Sequence, residues 1–341
     1  MRFFSFFLFP LVMFISSCGK NNGTGSPAPV TPTNLTLTAN ISTDNSGNVA
    51  FIAAATNAAS YDYDFGNGTY QTVSSGSVTY KYPSAGTYTV VVIAKSTTGH
   101  TISKSIQITV GITQSLVFSD EFDVPGAPNP AKWGYDIGGG GWGNAELQYY
   151  TNRVDNSIVS GGTLKIIAKK ETFSGSAYTS ARLLTKDKFS FMYGKVEVRA
   201  KLPSGGGVWP AIWTLGSNIN TTPWPACGEM DIMEHKGNEV NKIYGTLHYP
   251  GRSGGNGNGN TTTISNAATE FHKYSLEWSA STIKILVDDV VFHTVANTAS
   301  LPFNQNFFVI LNFAIGGTFG GAVDPAFTSG VFEIDYVRVY Q

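Results

Sequence analysis

The 341-residue chain is long enough for two domains, and its formal net charge of −1 comes without any basic block, which excludes nucleic acid as a partner. Charged residues make up 13%, well below the ~25% of an average soluble domain, and 38 residues are glycine. Few helix formers and many turn formers imply an all-β protein, and five scattered histidines with two cysteines supply no zinc spacing.

Residues 1–17 read as a signal segment: Arg2, a mostly apolar run over 3–15, then Ser16-Ser17. The run is too short to be a good membrane-spanning helix. Ile15-Ser16-Ser17-Cys18 resembles the lipobox of bacterial lipoproteins, which implies cleavage before Cys18 and lipidation of that residue. The expected location is therefore an exported, membrane-anchored one, periplasmic or at the cell surface. Residues 18–34, with Pro27, Pro29 and Pro32, form a polar tether.

Residues 35–112 change to short alternating runs, at 35–38, 61–65, 88–92 and 105–110, separated by turn signals such as Gly66-Asn67-Gly68 and Thr98-Gly99. This is the spacing of a small β-sandwich. Tyr61-Asp62-Tyr63-Asp64-Phe65-Gly66-Asn67-Gly68, followed by Tyr82 and then Gly86-Thr87-Tyr88-Thr89-Val90, resembles the immunoglobulin-like PKD (polycystic kidney disease) module. Tyr63 replaces that family's usual tryptophan and Asn67 its usual aspartate. The resemblance implies a spacer in preference to a binding module.

Residues 113–341 carry all six tryptophans and alternate like a larger sandwich or jelly roll. Strands are expected at 163–169, 194–201, 273–278, 282–287, 307–314 and 330–340, with a glycine-rich loop over 251–260. Within this region Gly228-Glu229-Met230-Asp231-Ile232-Met233-Glu234-His235 sets three acids into an otherwise apolar strand. Glu229 and Asp231 share a face, while Glu234 would point backwards on a regular strand. An extra residue in a β-bulge near Ile232–Met233 would return it to the same side. Two carboxyls brought close on one face are what a retaining glycosidase uses, one as nucleophile and one as acid/base. A solvated edge strand or a calcium cluster is the competing reading. The run Val208-Trp209-Pro210-Ala211-Ile212-Trp213 adds two indoles, which either stack on sugar faces or fill the core.

Taken with Ser119–Asp123, Gly141–Thr151, Thr179–Leu183, Tyr193–Glu197 and Asp335–Tyr340, these motifs resemble glycoside hydrolase family 16, and most of all its laminarinases, endo-β-1,3-glucanases. The resemblance implies a concanavalin-like β-jelly-roll with Glu229 as nucleophile, Glu234 as general acid/base and Asp231 assisting. It places Trp142, Asn144, Arg182, Trp209, Trp213, His248 and Asn312 along the cleft. It also implies a structural calcium on the convex side, with Glu121, the Gly162 carbonyl and Asp335 as ligands; the chemistry itself needs no cofactor. The expected substrate is a β-1,3-glucan of the laminarin type, with mixed-linkage β-1,3-1,4-glucan as a second, and the expected state is a monomer. Other β-linked polysaccharides, such as agar or carrageenan, and a non-catalytic glucan-binding protein are the alternatives.

Overall fold

The computed structural model describes residues 30–83 and 85–341. Cys18, the segment before it and most of the tether lie outside the described residues.

From Thr33 to Val110 seven strands form two small sheets. Thr33–Ile41, Asn48–Thr56 and Ser77–Lys81 make one, and Tyr70–Val73, Ser60–Asp64, Gly86–Lys95 and Thr101–Val110 the other. Period-two alternation decides which side chains meet: Tyr61, Tyr63 and Phe65 turn inward onto Val49, Phe51, Val90 and Val92. Tyr63 is fully buried, stacks on Phe65 and donates its hydroxyl to the Gly76 carbonyl at 2.6 Å. Gly66 follows at φ +77°, where a Cβ would come within 2.5 Å of the Thr89 carbonyl oxygen. Only glycine fits both the dihedral and the close approach.

The second core lies between two much larger sheets. One has ten strands, running from Gln148–Tyr150 through Ser176–Ser180, Thr163–Phe173, Ser329–Tyr340, Gly194–Lys201, His272–Trp278 and Thr282–Val287 to Val290–Ala296, with Ser157–Ser160 and Leu116–Asp120 added to its inner members. The other has seven, in the order Asn258–Thr263, Lys242–His248, Glu229–His235, Val208–Gly216, Phe307–Ile315, Arg182–Leu184 and Gly134–Tyr135. Ile212, Met230, Ile232, Leu311 and Phe313 of the seven-stranded sheet pack with Val196, Val198, Leu276, Ile285, Phe332 and Ile334 of the ten-stranded one. Sandwiching two sheets leaves each with an outer face, and the outer face of the seven-stranded sheet carries the acids.

The strands expected from alternation all form, most of them one to four residues longer than expected. Residues 251–260 are an exception. A short 3-10 turn covers Gly254–Asn256, but Asn258–Thr263 is an edge strand paired with Lys242–His248. Its sequence, Asn-Gly-Asn-Thr-Thr-Thr, sets three strand-favouring threonines after two asparagines and a glycine and has no apolar residue to mark a buried face. It pairs instead through the neighbouring strand's backbone groups. The segment also runs close to the site, since a Cβ on Gly257 would sit 2.6 Å from the His248 ring.

Candidate active site

The acidic strand is bulged where the sequence predicts it. Trp213 pairs with Asp231 and Ile212 with Met233, so Ile232 is the extra residue on that side. On the other side Asp231 pairs with Thr246 and Glu234 with Tyr244. The bulge lets Ile232 and Met233 both enter the core at 0% exposure and returns Glu234 to the outer face. Glu229, Asp231 and Glu234 therefore stand opposite Leu215, Trp213 and Ala211 of the neighbouring strand.

Three acids on so short a stretch cannot all remain charged in a buried cleft. Burial is the main cause that pushes Glu234 and Asp231 up to about 8 and Glu229 well above the ordinary carboxylate range. Repulsion from Asp231 adds to the rise at both glutamates, while His248 opposes it at both. The trio thus titrates as one coupled group, in which a charge on one member favours protons on the others. His248 Nε2 lies 3.2 Å from Asp231 Oδ2 and 3.7 Å from Glu229 Oε1, and Trp209 Nε1 donates to Glu234 Oε1 at 3.1 Å. The two glutamates thus differ in their neighbours: Glu234 accepts from an indole N–H, while Glu229 faces an imidazole that lies nearer Asp231.

Beside the acids lies an aromatic floor. The Arg182 guanidinium sits between the Trp142 and Trp213 rings, 5.0 and 4.7 Å from their centroids, with Nε 3.0 Å from Asp136 Oδ2. Stacked arginine and indole form a rigid, flat surface with a charged edge. Trp213 Nε1 donates to Asn312 Oδ1 at 2.7 Å, and Arg182 pairs with Asn312 across adjacent strands. Asn144 reaches the same region through its contact with Glu146. All ten residues expected in or around the catalytic cleft are thus gathered in one region. Sequence reasoning missed Trp224, a 44%-exposed indole whose ring lies 5.9 Å from that of His248, and Phe319, which packs on Trp209. It also missed the buried carboxyl of Glu146. A tryptophan shortly before the acidic motif was the available signal for Trp224.

The expected calcium ligands are engaged otherwise. Glu121 accepts from Arg338 Nε and Nη2 at 3.0 and 2.7 Å, and Asp335 is paired with Arg199. Gly162 lies in the turn between Ser157–Ser160 and Thr163–Phe173. Calcium needs several uncommitted oxygen ligands. With both carboxylates already paired with arginine, these residues as placed do not fit the ion. Cys227 is a buried free thiol whose pKa is pushed up to about 11, chiefly by burial, so it is a poor nucleophile.

Paired carboxyls on a bulged strand, beside a floor of indoles and arginine, define a carbohydrate-cleaving hydrolase that works through side-chain acids. Comparison with known proteins agrees. The model for glycosyl hydrolases family 16 matches residues 144–338. The chain belongs to that family. A second model, for the beta-glucan synthesis-associated proteins SKN1/KRE6/Sbg1, matches residues 54–229 and so stops before Asp231 and Glu234. The beta-glucanase of Rhodothermus marinus is 45% identical over 242 residues, covering 66% of this chain and 85% of that protein. Glucan endo-1,3-beta-glucosidase A1 of Niallia circulans is 35% identical over 258 residues, covering 67% of this chain but only 38% of its own length. Among solved structures, LamA of Z. galactanivorans in complex with laminaritriose and laminaritetraose has 48% identity and a TM-score of 0.63, covering 67% of this chain and 99% of that one.

Proposed function

We propose that this chain is a retaining endo-β-1,3-glucanase. The observation that carries the mechanism is the bulge that turns Glu234 to the side of Glu229 and Asp231. In the first step Glu234 gives its proton to the glycosidic oxygen, and the bond to the leaving sugar breaks. Glu229 attacks the anomeric carbon and forms a glycosyl ester. Water then enters, Glu234 takes its proton, and the ester is hydrolysed with the original configuration restored. Asp231, between them and beside His248, shares the protons that must redistribute during each step.

The substrate reading follows from shape and chemistry. A β-1,3-linked chain is a curved ribbon, whereas runs of β-1,4 linkage are straight. A cleft that tells them apart needs walls as well as a floor. Trp213, Arg182 and Trp142 supply the floor, and the 141–151 loop brings Trp142 and Asn144 to one rim. The named activities of relatives, a beta-glucanase and a glucan endo-1,3-beta-glucosidase, support this choice. Reducing-sugar release from a panel of polysaccharides tests it. Laminarin should yield short oligosaccharides fastest, mixed-linkage glucan less and cellulose nothing; faster hydrolysis of agarose or carrageenan would sink the substrate assignment.

Two further parts of the reading concern the rest of the chain. The sandwich from Thr33 to Val110 is proposed to be a PKD-like spacer, on the strength of the Tyr63–Gly68 turn. Cys18 is proposed to carry the lipid anchor. Cys18→Ala should move the protein out of the membrane fraction; a variant that sediments with membranes as fully as the wild type would refute anchoring there.

A further inference from the structure

Glu146 lies outside the acidic strand, just before the strand Gln148–Tyr150, and is buried at 8% exposure. It receives three side-chain donors. Asn144 Nδ2 donates to its Oε1 at 3.2 Å, while Gln148 Nε2 and the Tyr150 hydroxyl donate to its Oε2 at 2.7 and 3.0 Å. The senses of these bonds are not free. The Ile315 backbone N–H can only donate, and it donates to Gln148 Oε1 at 2.7 Å, so Gln148 must turn its NH2 towards Glu146. The Trp213 indole N–H can also only donate, and it donates to Asn312 Oδ1. Asn312 must therefore show its NH2 to the Tyr150 oxygen, at 3.0 Å, and Tyr150 must pass its own proton to Glu146. Two donors that cannot be reversed thus commit Oε2 to accepting, and with Asn144 donating to Oε1 a carboxylate accepts all three bonds, whereas an amide there would turn its NH2 on Asn144.

We infer that Glu146 is a positioning residue for the glucan. It fixes which amide atom Asn144 presents to the cleft, and by accepting from Tyr150 it completes the hydrogen-bonded chain that runs through Asn312 to the Trp213 indole. This inference rests on the glucanase reading above. Asn144 is the one of the three partners with freedom to turn over, because among the described residues its amide is held by Glu146 alone. With Gln at position 146, the new NH2 faces Asn144, and Asn144 rotates to offer its carbonyl. Its polar contact with the sugar then changes from donor to acceptor, the hydroxyl it meets must turn its own proton to suit, and the loss falls on binding.

The test is steady-state kinetics on laminarin with Glu146→Gln, Asn144→Ala, their double variant and Tyr150→Phe. Glu146→Gln should raise KM about tenfold, the size of one misdirected buried polar contact, and leave kcat within about threefold. Because Glu146 acts through Asn144 on this branch, the double variant should be no worse than the worse single variant. Tyr150→Phe keeps the ring, cuts the other branch and should raise KM by a similar factor; it also decides the matter should Glu146→Gln fail to fold. A purely structural role would lower activity in proportion to the folded fraction and leave KM unmoved. An unchanged KM in the folded variants, or a double variant whose loss is the product of the two, overturns the inference. Wild-type protein inactive on every β-glucan would instead remove the glucanase reading, and this inference with it.

Discussion

Glu229→Ala and Glu234→Ala should each cut turnover on laminarin by about 10²- to 10⁴-fold, because each removes a group that makes or breaks a bond in the chemistry. Their signatures differ. Azide supplied with an activated aryl glycoside should rescue both variants and give opposite anomers. With the nucleophile missing, azide attacks directly and yields the α-glycosyl azide; with the acid/base missing, it attacks the ester on Glu229 and yields the β form. NMR of the first-formed product of the wild type should show retention, and inversion would refute the assignment. The pH profile carries the same assignment. Glu234 must hold a proton to act, and burial holds it up to about 8, so kcat/KM should fall as pH rises beyond about 8. The Trp209 N–H favours the charged form of Glu234, so Trp209→Phe should move that limb to higher pH.

Trp213→Ala should be the next most damaging change, lowering kcat/KM about 10²-fold or more through three lost functions. Its ring is the stacking surface closest in register to the acids, directly opposite Asp231. It also braces Arg182 from one side, and its N–H fixes Asn312. Loss of stacking alone would raise KM, since ground and transition states lose it together. Loosening Arg182 and Asn312 should lower kcat as well. Trp213→Phe separates the effects, because it keeps a ring under the sugar and over Arg182 while removing the donor. Its loss should be about tenfold, the size of a single polar contact. Equal damage from Phe and Ala would show that the N–H, not the stacking face, is what matters at this position.

Much of this site was legible along the chain because its decisive residues are close in sequence. Glu229, Asp231 and Glu234 span six positions, and simple alternation shows that the third faces wrongly unless one residue is added. The bulge at Ile232 is thus a local consequence of local spacing, and the two buried residues in a row, Ile232 and Met233, are its mark in the structure. Strands 194–201 and 282–287 fall where alternation puts them for the same reason. The edge strand Asn258–Thr263 was not legible, since it pairs with a distant strand's backbone and has no apolar alternation of its own. Nor were the arginines that hold Glu121 and Asp335, which lie 217 and 136 residues away from those acids. Positions suited to calcium ligands by motif are therefore ion pairs in the fold.

By itself, then, the sequence determined the class of chemistry: an all-β chain, a bulged acidic strand and indoles nearby, each set by the period-two geometry of a strand. Tertiary structure alone decided how those groups are held. The path from Trp213 through Asn312 and Tyr150 to Glu146 joins residues up to 167 positions apart once the Gln148–Ile315 bond is included, and no local periodicity encodes it. The reason is physical. A face of a strand is set by neighbours two residues away, whereas the sense of a buried hydrogen bond is set by whichever donor cannot be reversed, wherever in the chain that donor lies.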